Sequence, residues 1–139
     1  MKIERSELSI ETTAGTDLID LTAAVEEFVA ASGVLEGHLM VFAAGSTAAI
    51  TTIEYESGAL EDLRRAIERL APRDIDYQHD RRWGDGNGYS HVRAALLGPS
   101  LTLPIAGGRL VHGTWQQVLL CDFDNRPRQR RILVQALGS

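Results

Sequence analysis

The chain has 139 residues, 44% of them apolar and 24% charged, with a formal net charge of −5. That length suits one domain with a buried core, and that composition excludes a disordered tail or a fibrous repeat. The negative charge argues against bulk nucleic-acid binding, and apolar runs such as Leu39–Ala44 fall far short of the roughly 20 residues of a membrane helix.

The N-terminus, Met1-Lys2-Ile3-Glu4-Arg5, is charged and has no apolar h-region, so the expected location is the cytoplasm. Cys121 is the single cysteine and has no partner for an internal disulfide. Its place in Val118-Leu119-Leu120-Cys121 predicts a buried small hydrophobe rather than a reactive thiol.

In chain order, Ile3 to Thr12 alternates partly and ends near Gly15, which predicts a strand and a turn. Asp17 to Leu21 predicts a second, short strand. Thr22 is placed to cap a helix through Ser32, with Gly33 just beyond it and Val25, Phe28 and Val29 as its apolar stripe. His38–Ala44 and Thr47–Glu54 are rich in β-branched and apolar residues and predict two strands. The clearest helix follows, with Ser57 as cap, Leu60, Leu63, Ile67 and Leu70 at helical spacing, Glu61 and Arg65 as an i,i+4 pair, and Pro72 as its stop.

From Asp76 to His91 the pattern turns polar and glycine-rich, which predicts an ordered functional loop. A short helix is predicted from His91 to Leu97, closed by Gly98-Pro99. Leu101–Ile105 should pair across Ala106-Gly107-Gly108 with a strand from Arg109, and a Trp115–Phe123 strand should turn at Asn125-Arg126-Pro127 into Arg131–Ala136. Trp115 is expected to pack. The order of strands and helices fits α+β rather than a doubly wound parallel sheet, and no linker or repeat divides residues 1–139.

His79 and His91 flank the glycine-rich segment, and Asp80 follows His79 directly. An imidazole beside a carboxylate suits metal ligation or proton transfer, although spacing alone fits solvated loop histidines equally well. His38 and His112 lie in strand-like segments and suggest surface or structural roles. Glu54 closes an apolar strand, where a carboxylate serves as ligand, as base or as a plain strand terminus. Gly45-Ser46-Thr47, between two strands, fits either a tight turn or a nest whose N–H groups and hydroxyls meet an anion. The basic cluster Arg126 to Arg131 suits a solvated turn or a phosphate clamp. The loop at Trp83–Gly88 has neither a Walker lysine nor G-x-G-x-x-G, which excludes a standard nucleotide loop.

Taken in order, several segments resemble the YjbQ-like family, whose members are often described as secondary thiamine-phosphate synthases. They are Thr47-Ala48-Ala49-Ile50 followed by Glu54, the helix Asp62–Leu70, Tyr77-Gln78-His79, His91–Gly98, Ser100–Pro104, Gly113-Thr114-Trp115-Gln116 and Pro127–Arg131. The resemblance implies a single domain over residues 1–139. Its fold would be a β-sandwich of mainly antiparallel strands with two main helices, assembled as a homotrimer. It further implies a site in which Glu54, His79 and His91 are catalytic and hold a divalent metal, Mg²⁺ or Zn²⁺, while Gly45, Ser46, Thr47, Arg128 and Arg130 meet the substrate's anionic groups. The implied reaction joins a pyrimidine diphosphate to a thiazole phosphate. Two positions depart from the family pattern: Gly45-Ser46-Thr47 stands where His-Thr-Thr is usual, and Ile53 where an asparagine precedes the glutamate. A non-catalytic trimeric module that binds a metal or phosphorylated metabolite is the alternative, and a trimer serving as a structural partner is a third.

Overall fold

The computed structural model describes every residue from Met1 to Ser139. Eight strands and four helices follow one another as β1 (Lys2–Glu11), β2 (Asp17–Asp20), α1 (Thr22–Ser32), β3 (Gly37–Ala44), β4 (Ala48–Ile53), α2 (Ser57–Leu70), α3 (Gln78–Trp83), α4 (Gly88–Leu97), β5 (Ser100–Ala106), β6 (Arg109–Leu110), β7 (Gln117–Asp122) and β8 (Gln129–Gly138). All pairings are antiparallel. They form a five-stranded sheet in the order β1-β8-β3-β5-β6 and a three-stranded sheet in the order β2-β7-β4. The fold class is α+β, as the segment order predicts. No helix is long and apolar enough to cross a membrane.

The main core lies between the two sheets. Leu39, Val41 and Ala43 of β3 and Ile132, Val134 and Ala136 of β8 meet Ile50 of β4 and Val118 and Leu120 of β7, and α1 adds Val25 and Val29. A second core lies on the other face of the small sheet, where Ala49, Leu119 and Cys121 pack against Leu60 and Ile67 of α2 and Ala94 of α4. Successive β7 residues therefore point into two different cores, and this explains the unbroken apolar run Val118–Cys121. Cys121 is the buried small hydrophobe expected from its sequence, and burial pushes its thiol pKa up to about 12.

Several local expectations change. Thr22 is the first residue of α1 rather than its cap; its hydroxyl donates to Asp20 Oδ1 at 2.6 Å and accepts from the Val118 N–H at 2.9 Å, tying the helix to β7. The cap of α2 is Glu56, whose carboxylate accepts from Ala59 N at 2.7 Å, and that bond with a second from the Gly58 N–H lowers its pKa. Leu70, the last residue of the apolar stripe, is exposed rather than packed. Trp115 lies outside β7 and is 71% exposed, so it does not pack within the chain.

The largest difference concerns β7 and β8. They do not form a hairpin: β7 pairs with β2 and β4, whereas β8 pairs with β1 and β3. Residues 123–128 cross from one sheet to the other instead. By contrast, β5 and β6 do turn back on one another through Gly107 and Gly108, both at positive φ as a tight two-residue hairpin turn requires.

Candidate functional site

The crossover at 123–128 meets the β3–β4 connection at one end of the sandwich, and α3 and α4 close the same end. A cleft of about 500 Å³ opens there, lined by Gly45, Ser46, Thr47, His79, Trp83, Asp85, Asn87, His91, Asp124, Arg128 and Arg130. Seven of the eight residues expected from the sequence are therefore brought together. Glu54 is not among them. It follows the far end of β4, and six strand residues at about 3.3 Å each place it roughly 20 Å from the Gly45 turn. There it is exposed in a separate shallow cleft with Asp20, Tyr55, Glu56 and Trp115. Within one chain, then, Glu54, His79 and His91 do not form a common ligand set.

The floor of the cleft is an ion-pair network that the sequence analysis did not assign. Arg130 is 7% exposed. Its Nε and Nη2 donate to the buried Asp122 carboxylate at 2.5 and 3.2 Å, and Nη2 also donates to Thr47 Oγ1 at 2.6 Å. Asp124, also buried, accepts from Thr47 Oγ1 at 3.0 Å, Asn87 Nδ2 at 3.3 Å, Arg128 Nε at 2.9 Å and the Asn125 N–H at 2.8 Å. Burial alone would raise the Asp124 pKa, but these bonds together hold it below the ordinary carboxylate range. The signal was present in the sequence. Asp122 and Asp124 stand two apart leading out of β7, and Arg128 and Arg130 stand two apart leading into β8, so each pair faces one way.

Arg130 Nη1 has no hydrogen-bond partner and points at Gly45, where an added Cβ would lie 2.9 Å away. The glycine thus leaves a buried guanidinium with one donor edge facing the cleft. Ser46 and the Gly45 backbone flank that edge.

The opposite wall is built by two short helices. The predicted loop Asp76–His91 in fact contains α3, and α4 begins three residues before His91. Gly88 lets the two elements approach closely: its N–H donates to Asp80 Oδ1 at 2.8 Å, and a Cβ there would lie 2.6 Å from Tyr77 Cβ. Ser90 donates to the Phe123 carbonyl, and buried Arg93 donates through Nε to the Ala71 carbonyl at 2.9 Å and through Nη2 to Glu68. The Arg93 guanidinium also lies 4.9 Å from the centroid of the Tyr89 ring. These contacts fix α4 and hence His91, on its cleft-facing side. His79 and His91 stack with ring centroids 4.3 Å apart, and burial, aided by the neighbouring His79, pushes the His91 pKa down.

His79 Nδ1 is buried without a hydrogen-bond partner, 3.4 Å from Asp85 Oδ1 and 3.7 Å from Asp80 Oδ1. The three ligand atoms lie within 4.8 Å of one another, a spacing that small side-chain shifts would bring to the roughly 3 to 3.4 Å between neighbouring ligands of a divalent ion. Asp85, not Glu54, is the carboxylate that lies near His79 together with Asp80.

The model of the UPF0047, YjbQ-like proteins matches residues 6–139. The chain belongs to that family. A UPF0047 protein of Archaeoglobus fulgidus is 39% identical over 131 residues, 94% of this chain and 99% of that protein. One from Methanothermobacter thermautotrophicus is also 39% identical, over 138 residues, 99% of this chain and 94% of that protein. A crystal structure of a YbjQ-like protein of unknown function from Sulfolobus solfataricus P2 superposes with a TM-score of 0.89 at 32% identity, covering 99% of this chain and 100% of that one. A hypothetical protein from Aeropyrum pernix K1 reaches 0.90 at 30% identity, covering 98% and 99%. The YjbQ-like sandwich expected from the sequence motifs is thus the fold of this chain.

Proposed function

We propose that the cleft is the active site of an enzyme acting on a small phosphorylated metabolite with help from a divalent cation, and that joining a pyrimidine diphosphate to a thiazole phosphate is the reaction to test first. The observation that carries it is Arg130 Nη1, a donor left unpaired on a buried guanidinium and aimed past Gly45 into the cleft. An open guanidinium edge beside a hydroxyl and backbone N–H groups suits a phosphate oxygen.

In the proposed reaction the methylene–oxygen bond to pyrophosphate breaks as the thiazole nitrogen forms a bond to that methylene, and negative charge gathers on the departing phosphate oxygens. Arg130 Nη1, Ser46 Oγ and Arg128 would hold those oxygens in place, and Asp122 and Thr47 keep Arg130 from following the leaving group outward. His91, favoured in its neutral form, would bind as a neutral donor or acceptor near neutral pH. His79, Asp80 and Asp85 would hold the cation, which when bound neutralises phosphate charge as a Lewis acid. Trp83 offers a ring face at the cleft mouth for a heteroaromatic substrate.

Homotrimer formation belongs to the same proposal. Trp115 and Tyr55 are exposed beside Glu54, and exposed aromatics of this kind suit contact with another subunit. Light scattering after size exclusion should give three times the chain mass.

The enzymatic assay supplies the two precursors with Mg²⁺ and follows thiamine phosphate by chromatography, with Arg130→Lys and His79→Ala beside the wild type. Product that is lost in both variants supports the assignment. A well-folded trimer that yields no product withdraws this substrate pair. The binding-module alternative rests on the saturation of Asp124, which has no free lone pair for proton transfer, and saturable metabolite binding without turnover would favour it.

A further inference from the structure

Resting on that proposal of a phosphate-binding cleft, we infer that the cleft selects phosphate esters of a compact, uncharged apolar group, and that this group lies in a slot running along α4 from His91 to Pro99.

The anion cleft by itself offers little to the carbon part of a ligand, since Trp83 is the one apolar side chain among its eleven lining residues. A second cavity of about 290 Å³ adjoins it and shares Gly45, Ser46 and His91 with it. Beyond those three, the slot is lined by Ala48, Ala94, Ala95 and Pro99, and no Asp, Glu, Lys or Arg side chain lines it. The hydroxyls of a sugar or polyol would find only Ser46 and the His91 ring as side-chain partners there, and an unpaired hydroxyl out of water is costly. An apolar group bears no such cost and gains by leaving water.

Sequence and packing make the slot a fixed surface. His91, Ala94 and Ala95 are spaced i, i+3 and i+4 on α4, so they share one face of the helix, and the two alanines keep that face low beyond the imidazole. Ala94 belongs to the second core and Ala48 to the main one, which anchors both walls. The Ala43 N–H donates to the Pro99 carbonyl at 2.8 Å and the Ile50 N–H to the Gly98 carbonyl at 3.1 Å, so the corner after α4 is tied to β3 and β4. His79 stacks on His91 with centroids 4.3 Å apart and holds it at the junction of slot and cleft. Gly45 has no side chain to close that junction, and the open Arg130 edge lies against it. A phosphate on Arg130 Nη1 can thus carry its ester group over Gly45 into the slot.

The test is calorimetry on the full chain with Mn²⁺ present, and its probes are phenyl phosphate, glycerol phosphate and inorganic phosphate. Phenyl phosphate should bind roughly tenfold more tightly than either of the others, the gain expected from covering one face of a ring. Ala95→Leu, at an exposed helix position that tolerates a larger side chain, should fill the slot and bring phenyl phosphate down to the affinity of glycerol phosphate. Its melting curve should stay close to wild type, and inorganic phosphate, held outside the slot, should bind it as it binds wild type. A preference for phenyl phosphate that survives Ala95→Leu would place the ring elsewhere, against Trp83, and overturn the slot. Equal affinity for all three probes in wild type would also overturn it, while leaving the phosphate-cleft proposal standing; a changed light-scattering mass for Ala95→Leu would then assign the slot to a subunit contact. Binding of none of the three would remove that proposal, and this inference with it.

Discussion

Arg130 Nη1 lies 2.9 Å from the position a Cβ on Gly45 would occupy, so one guanidinium edge fills the space that any side chain at 45 would need. The rest of Arg130 is pinned by Asp122 and Thr47 and cannot swing aside without loss. Gly45→Ala should therefore displace the free donor edge while leaving the fold in place. Losing one charge-assisted hydrogen bond is worth roughly 1.5–3 kcal/mol, so phosphate binding in the presence of Mn²⁺ should weaken about tenfold or more. Calorimetry checks the affinity, and a melting curve close to wild type checks that the fold survives.

The Asp122–Arg130 pair should behave as a buried ion pair. Arg130→Met leaves the fully buried Asp122 carboxylate without its main partner, which should cost about 3–5 kcal/mol in urea unfolding. Adding Asp122→Leu should restore part of that stability, because two matched apolar groups replace an unpaired charge. A double variant as unstable as the single one would contradict the assignment. The exposed Arg131–Glu7 pair on the outer face of the large sheet is the control, and Arg131→Ala should leave the midpoint unchanged.

Much of the fold was legible because its elements obey simple periods. The α2 stripe at Leu60, Leu63 and Ile67 and the two-core run Val118–Cys121 each follow from burial on one face or on both. Failures have physical causes of the same kind. Glycines at 84, 86 and 88 suggest a loop, yet Gly84 ends α3 and Gly88 opens α4. Strands β7 and β8 suggest a hairpin, but local sequence carries no information on which sheet each strand joins, and long-range packing sends them to different sheets. The same limit applies to the site. Gly45 was legible as a turn glycine between two strands and His79, His91, Arg128 and Arg130 as polar residues in conspicuous settings, whereas Glu54 was placed with them by family motif rather than by geometry. Asp122 and Asp124 were missed because their spacing shows only that they share a face, and which arginines they meet depends on the crossover.

Two histidines should give the stability–pH curve opposing slopes. His112 Nε2 donates to Glu26 Oε1 at 2.6 Å, and that bond raises its pKa. The folded state thus holds this proton more tightly than the unfolded chain; the stabilisation is complete below the unfolded value of about 6.5 and is lost as pH rises through the folded pKa. His91 has a lowered pKa, chiefly because it is buried, so the unfolded chain binds its proton more tightly. Its contribution is favourable above about 6.5 and is lost as pH falls through the folded value. Melting temperatures from pH 5 to 8.5 should show His112→Ala removing the loss on the alkaline side and His91→Ala removing the loss on the acid side.

Cys121 should be chemically silent in the native protein. It is fully buried in the second core, and its thiol pKa is pushed up to about 12, so thiolate is scarce at neutral pH. A colorimetric thiol reagent should register nothing until denaturant is added and one thiol per chain afterwards. Rapid reaction under native conditions would mean that α2 and α4 open away from the small sheet.

The most direct measurement is an anomalous difference map from a crystal grown with Mn²⁺ and pyrophosphate. The predicted result is a Mn²⁺ peak ligated by His79 and Asp85, with phosphate density bridging it to Arg130 Nη1 beside Gly45. Mn²⁺ and pyrophosphate bound elsewhere, for example in the cleft around Glu54 and Trp115, would contradict the assignment of this cleft as the site.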